Sequence, residues 1–217
     1  MKSENLPRFI TVEGPIGVGK TSLTKKLAES LNYDTFLETA ESNPFLERFY
    51  QNRRQAALQT QLFFLFERAR QIQELRQGDM FEPVRVSDFL LEKDRLFAEI
   101  NLDKDEMVLY DKIYEHLTID APKPDLVIYL QAPIDVLQER IQTRGITAEL
   151  SIDPSYLKEL AEAYTGFFHY YDASPLLIVN AAEIDLINND DDYELLLDYL
   201  KTVTRGRHYY NATPSFI

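Results

Sequence analysis

One stretch limits the possible folds more than any other: residues 8–27, RFITVEGPIGVGKTSLTKKL. An apolar, β-rich run over 9–12 ends at Glu13, a loop opens at Gly14, and Leu23, Leu27 and Leu31 then recur at helical spacing. The order is strand, loop, helix. Gly14-x-x-x-x-Gly19-Lys20-Thr21 satisfies the pattern of a phosphate cradle. Its loop (Gly14, Pro15, Ile16, Gly17, Val18, Gly19) wraps a β-phosphate with backbone N–H groups, Lys20 reaches the β/γ oxygens and Thr21 offers a hydroxyl to Mg²⁺. Glycines are needed because a side chain would block the approach of backbone to phosphate, and the helix start adds the positive end of its dipole. The competing reading is an ordinary Gly-rich βα turn.

With 217 residues, the chain is long enough for a sizeable core and is expected to form one domain over 1–217. The formal net charge of -13, from 36 acidic and 23 basic residues, disfavours a nucleic-acid partner or an anionic membrane. A small anion needs only a few converging cations and N–H groups, so it stays open. The absence of cysteine removes disulfides, thiolate catalysis and Cys-type zinc sites. No apolar leader or membrane-length run is present, and the expected location is the cytoplasm. His116, His169 and His208 show no ligand spacing and receive no role.

Further along, strands are predicted over 33–37, 83–87, 125–131 and 176–179. Asn43-Pro44 reads as an N-cap followed by a first-turn proline, opening a helix that carries Phe45, Leu46, Phe49 and Tyr50. A long helix is expected over 53–77, stopped by Gly78, and others over 90–100, 104–119, 133–145, from the Asp153-Pro154 cap onward, and 190–203. Residues 204–217 read as irregular. Alternating strands and helices behind a phosphate loop imply an α/β three-layer fold. It would have a five-stranded parallel sheet, helices on both faces and a small lid.

Ligands in such sheets sit outside the carboxyl ends of the strands. That rule gathers the loop 14–21, Glu38 after the second strand and Asp88 after the third into one crevice. Glu38 would lie near a γ-phosphate, where it could take a proton from an acceptor hydroxyl; a solvated carboxylate is the alternative. Asp88 is the candidate partner of Thr21 in holding Mg²⁺. Arg140 and Arg144, one helical turn apart before a loop, suit a lid that clamps a transferring phosphate, or are two solvated arginines. No Asn-Lys-x-Asp motif of the GTPase type occurs.

The segments EGPIGVGKTSL (13–23), LETAESNPFLERFY (37–50), QTQLFFLFERARQ (59–71), VSDFLLEKDRLFA (86–98), PKPDLVIYLQAP (122–133) and ERIQTRGITAE (139–149) resemble the successive blocks of the deoxynucleoside kinases, the bacterial deoxyadenosine/deoxyguanosine kinases above all. The resemblance implies a P-loop kinase-type fold and transfer of the γ-phosphate of ATP, with Mg²⁺, to the 5′-hydroxyl of a deoxyribonucleoside by a homodimer. It assigns Glu38 as catalytic base, Tyr50 and Glu149 to the sugar 3′-hydroxyl, Gln61 to the base, Arg68 and Asp94 to a charged pair beside the base edge, and Arg140 and Arg144 to the lid. That pair points to a purine or cytosine rather than thymine. Two positions depart from the family pattern: Phe89 stands where an arginine often follows the third-strand acid, and Ile146 where the lid often has a second arginine. Lys93, one turn beyond Phe89, is a candidate to replace the first lost charge. A nucleoside monophosphate kinase, and a nucleotide-binding subunit with weakened catalysis, are the competing readings.

Overall fold

The structure is a computed structural model that describes residues 6–78, 84–117 and 122–211. Among the described residues six strands form one sheet: β1 (Phe9–Glu13), β2 (Asp34–Phe36), β3 (Arg85–Ser87), β4 (Leu126–Gln131), β5 (Leu176–Asn180) and β6 (Arg207–Tyr210). Their order across the sheet is β2-β3-β1-β4-β5-β6, and every pairing is parallel. The helices are α1 (Lys20–Leu31), α2 (Leu46–Gln51), α3 (Arg53–Gly78), α4 (Lys93–Asn101), α5 (Lys104–Leu117), α6 (Ile134–Arg144), α7 (Pro154–Tyr170) and α8 (Asp190–Leu200).

The α/β expectation holds, with one correction to the strand count. The stretch read as irregular supplies β6, which pairs with β5 from Leu176↔Arg207 to Val179↔Tyr210. Gly206, at φ +75, turns the chain into it. Residues 212–217 lie outside the described part of the chain, as do Pro83 and Ile119, the expected ends of two elements. Asn43-Pro44 does not cap a helix. Asn43 is buried, its side-chain oxygen accepts from the Phe45 N–H at 3.0 Å, its amide donates to the Thr60 carbonyl at 3.2 Å, and α2 begins only at Leu46. The helix expected from residue 90 starts at Lys93, and the one expected to reach 203 ends at Leu200.

Alternation along β1 and β4 divides the core between two faces. Ile10, Val12, Leu126, Ile128 and Leu130 join Leu23 and Leu27 of α1 and Leu196 and Leu200 of α8. Val127 and Tyr129 face the other way, onto Leu160, Tyr164 and Phe168 of α7. The Tyr129 and Phe168 rings stack at 4.3 Å. Each fully buried Leu or Ile contributes about 1.5–3 kcal/mol through removal from water, so the central strands are pinned from both sides. By register Glu13 pairs with Tyr129, which sends the Glu13 side chain toward α4 and α7. That parity places a carboxylate at the centre of the site.

Candidate active site

The chain reverses its order in the sheet at β1, with β3 on one flank and β4 on the other, and the loop after β1 sits at that switch point. Gly14 and Gly17 adopt φ of +149° and +85°. A Cβ at Gly14 would lie 2.5 Å from the Leu130 carbonyl oxygen, and one at Gly17 2.7 Å from that of Leu137. Both glycines are therefore required by close backbone contact as well as by dihedral angle. The Lys20 ammonium folds back onto the loop, donating to the carbonyls of Gly14 at 2.8 Å and Pro15 at 3.1 Å. Burial and the neighbouring Lys93 lower its pKa to about 8 against the pull of Glu13, Glu38 and Asp88.

Asp88 ties the loop side of the crevice to the other side. One carboxylate oxygen accepts from the Thr21 hydroxyl at 2.6 Å and the other from the Glu38 backbone N–H at 2.7 Å. A hydroxyl and a carboxylate held this close are hard oxygen donors of the kind Mg²⁺ takes when it is bound through one or two protein groups plus phosphate. The donor set therefore fits that ion.

The Glu38 side chain points into the crevice, toward Arg68 and Lys93. One oxygen accepts from Arg68, and the other lies 3.3 Å from the Lys93 ammonium. Burial alone would raise its pKa, but Arg68 and Lys93 outweigh it and hold the carboxyl at about 2. Arg68, only 4% exposed, donates its other terminal nitrogen to Asp94, which is fully buried. The Gln61 carbonyl oxygen and Arg68 Nε are also buried and have no hydrogen-bond partner among the described residues, which suits a pocket built for a polar guest.

The two arginines expected in a lid lie in α6, which packs against the loop. Arg140 donates to the carbonyls of Val18 at 3.2 Å and Ala181 at 2.7 Å, and Arg144 pairs with Glu149. In this arrangement both guanidiniums bind protein oxygens, which an entering phosphate would have to displace. Both arginines nevertheless line a cavity of about 630 Å³ with residues 17–23 and 181–188. Tyr50 is influenced by the charges of Glu149 and Glu38, and burial is the main cause that raises its pKa well above the ordinary value and keeps it a neutral hydroxyl.

Glu13 was not singled out by the sequence reading, yet it stands among these groups. It is fully buried and accepts from the Gly14 N–H at 3.1 Å, the Leu90 N–H at 2.6 Å and the Tyr164 hydroxyl at 3.0 Å. Its sequence signal was an acid closing an apolar strand directly before the glycine loop.

A profile described as "Deoxynucleoside kinase" matches residues 10–205. The chain belongs to the deoxynucleoside kinase family. This kinase is 34% identical over 206 residues to the deoxyguanosine kinase of Bacillus subtilis (strain 168), covering 91% of this chain and 98% of that protein. It is 32% identical over 215 residues to the deoxyadenosine/deoxycytidine kinase of the same organism, covering 94% and 97%. Among solved structures, deoxyadenosine kinase from M. mycoides with bound dCTP superposes with a TM-score of 0.77 at 26% identity, over 90% of this chain and 100% of that one. The same M. mycoides enzyme has been solved with bound dATP, at a TM-score of 0.75. The kinase is accordingly a phosphotransferase with a nucleotide-binding crevice. No helix among its described residues is long and apolar enough to cross a membrane.

Proposed function

We propose that the kinase transfers the γ-phosphoryl group of ATP to the 5′-hydroxyl of a purine deoxyribonucleoside, deoxyadenosine or deoxyguanosine, with deoxycytidine a lesser substrate, in nucleotide salvage. The observation that carries this reading is the pair of hydrogen bonds that the Asp88 carboxylate accepts, from the Thr21 hydroxyl and from the Glu38 backbone N–H. It fixes a carboxylate at a set place beside a phosphate loop. The purine relatives and the buried Arg68–Asp94 pair support the choice of base.

In this reading residues 14–19 and Lys20 hold the donor phosphates, while Thr21 and Asp88 hold Mg²⁺. When bound, the ion neutralises charge on the phosphates and orients them. Glu38, fully ionised at neutral pH, accepts the hydrogen bond of the 5′-hydroxyl and then its proton. Phosphoryl transfer depends mainly on position and charge, so a weakly basic carboxylate suffices. Tyr50 donates to the sugar 3′-oxygen and Glu149 accepts from that hydroxyl. Gln61, Arg68 and Asp94 face the base. Arg140 and Arg144 close over the donor once phosphate replaces their present partners.

The same proposal includes residues 1–217 as one kinase unit working in the cytoplasm. It also includes a homodimer formed through the neighbouring helices α3 and α5, where Phe66, Val108 and Leu109 are 51%, 57% and 46% exposed. ADP release measured with each of the four deoxynucleosides tests the activity. The expected result is strong stimulation by a purine deoxynucleoside and little by thymidine. No stimulation by any of the four would leave the nucleotide-binding subunit as the surviving account.

A further inference from the structure

Lys93 is in a place where a cation is doubly unfavourable for folding. It is the first residue of α4, at the positive end of the helix dipole, and only 3% of it is exposed. Its ammonium lies 3.3 Å from Glu38 Oε2 and 3.6 Å from Glu13 Oε1, with the Phe97 ring 5.9 Å away. The two carboxylates are not equivalent. Glu13 is fixed by three hydrogen-bond donors from the loop, from Leu90 and from α7, whereas Glu38 lies two residues beyond the end of β2 and its carboxylate depends on Arg68 and Lys93. Next to Asp88 the chain has Phe89, packed on Phe36 at 5.0 Å, so that position brings no charge.

We propose that Lys93 is a positioning residue for phosphoryl transfer: anchored by Glu13, it holds the Glu38 carboxylate against the acceptor side of the Lys20 loop. Local rules broken by a buried charge at a helix start are expected where function requires them. The ammonium donates to Glu38 at 3.3 Å and forms an ion pair with Glu13 at 3.6 Å, so it bridges the fixed carboxylate and the one it positions. The inference rests on Glu38 receiving the 5′-hydroxyl.

The test is steady-state kinetics of the full chain with ATP, Mg²⁺ and its best deoxynucleoside, comparing wild type, Lys93→Met, Lys93→Arg and Glu38→Gln. Lys93→Met is expected to lower kcat about a hundredfold, the order lost when a reacting group is displaced by about 1 Å, with the deoxynucleoside KM little changed. Lys93→Arg is expected to recover most of the loss. A Lys93→Met variant with wild-type kcat, or one that unfolds at lower temperature, changes kcat and KM together and is not rescued by Lys93→Arg, would overturn the proposal. If Lys93→Met does not fold, the charge-neutral pair Glu13→Gln with Lys93→Gln is read by the same measurements. Normal turnover in Glu38→Gln would remove the underlying assignment, whereas an inactive Glu38→Gln beside a normal Lys93→Met would sink only this inference.

Discussion

Replacing Glu38 by glutamine should be visible in both stability and turnover. Folding holds this carboxyl at about 2 against an ordinary 4.5. At about 1.4 kcal/mol per pH unit, that difference is worth about 3 kcal/mol of stability at neutral pH. A depressed acid stabilises the fold above its unfolded pKa, and the contribution fades as the pH falls from 4.5 toward 2. The amide oxygen of Glu38→Gln keeps one hydrogen bond to Arg68, worth about 1 kcal/mol. The expected gap in unfolding free energy is therefore about 2 kcal/mol at neutral pH, closing toward zero near pH 3. Because a carboxylate at about 2 is a weak base, turnover should fall by the lower part of the range for general-base loss, about 10²–10³-fold or about 3–4 kcal/mol of barrier. Urea unfolding at several pH values and a coupled ADP assay give the two numbers. A pH-independent gap, or turnover within threefold of wild type, would refute the reasoning.

The remaining predictions concern the groups around Glu38. Because Lys20 is held at about 8, kcat/KM for ATP should be level below that pH and drop about tenfold per unit above it; a flat profile through pH 9 would contradict the assignment. Gly17→Ala would put a Cβ 2.7 Å from the Leu137 carbonyl at a φ of +85°, and should cost about 1–3 kcal/mol and abolish ATP binding by calorimetry. Tyr164→Phe removes one of three donors to buried Glu13 and should lower the unfolding free energy by about 1.5–3 kcal/mol in a denaturant titration; no change would mean that the bond contributes nothing.

The phosphate loop and the gathering of Glu38 and Asp88 were legible from sequence because strand ends in a parallel sheet share one edge, so a linear order becomes a location. What escaped notice depended on distant partners. Residues 207–210 are polar and half exposed on an edge, so only pairing with β5 distinguishes them from a tail. Arg140 has the spacing of a lid arginine, but its bonds run to Val18 and Ala181, far off in the chain, and no local pattern encodes them. Asn43 looked like a helix cap, yet its amide reaches across to Thr60 and its oxygen closes a tight turn instead. Lys93 was visible as a possible substitute charge, whereas its anchor on Glu13 follows from strand parity and the approach of α4.

The account turns on one crevice, tied together by Asp88, in which the phosphate loop holds the donor and Glu38 receives the acceptor hydroxyl. A crystal structure of the kinase with a purine deoxynucleoside and a non-hydrolysable ATP analogue would measure this directly. The 5′-oxygen is expected within about 3 Å of the Glu38 carboxylate and in line with the γ-phosphate held by Lys20. A sugar bound with its 5′-oxygen turned away from Glu38, or a nucleoside seated outside this crevice, would contradict it.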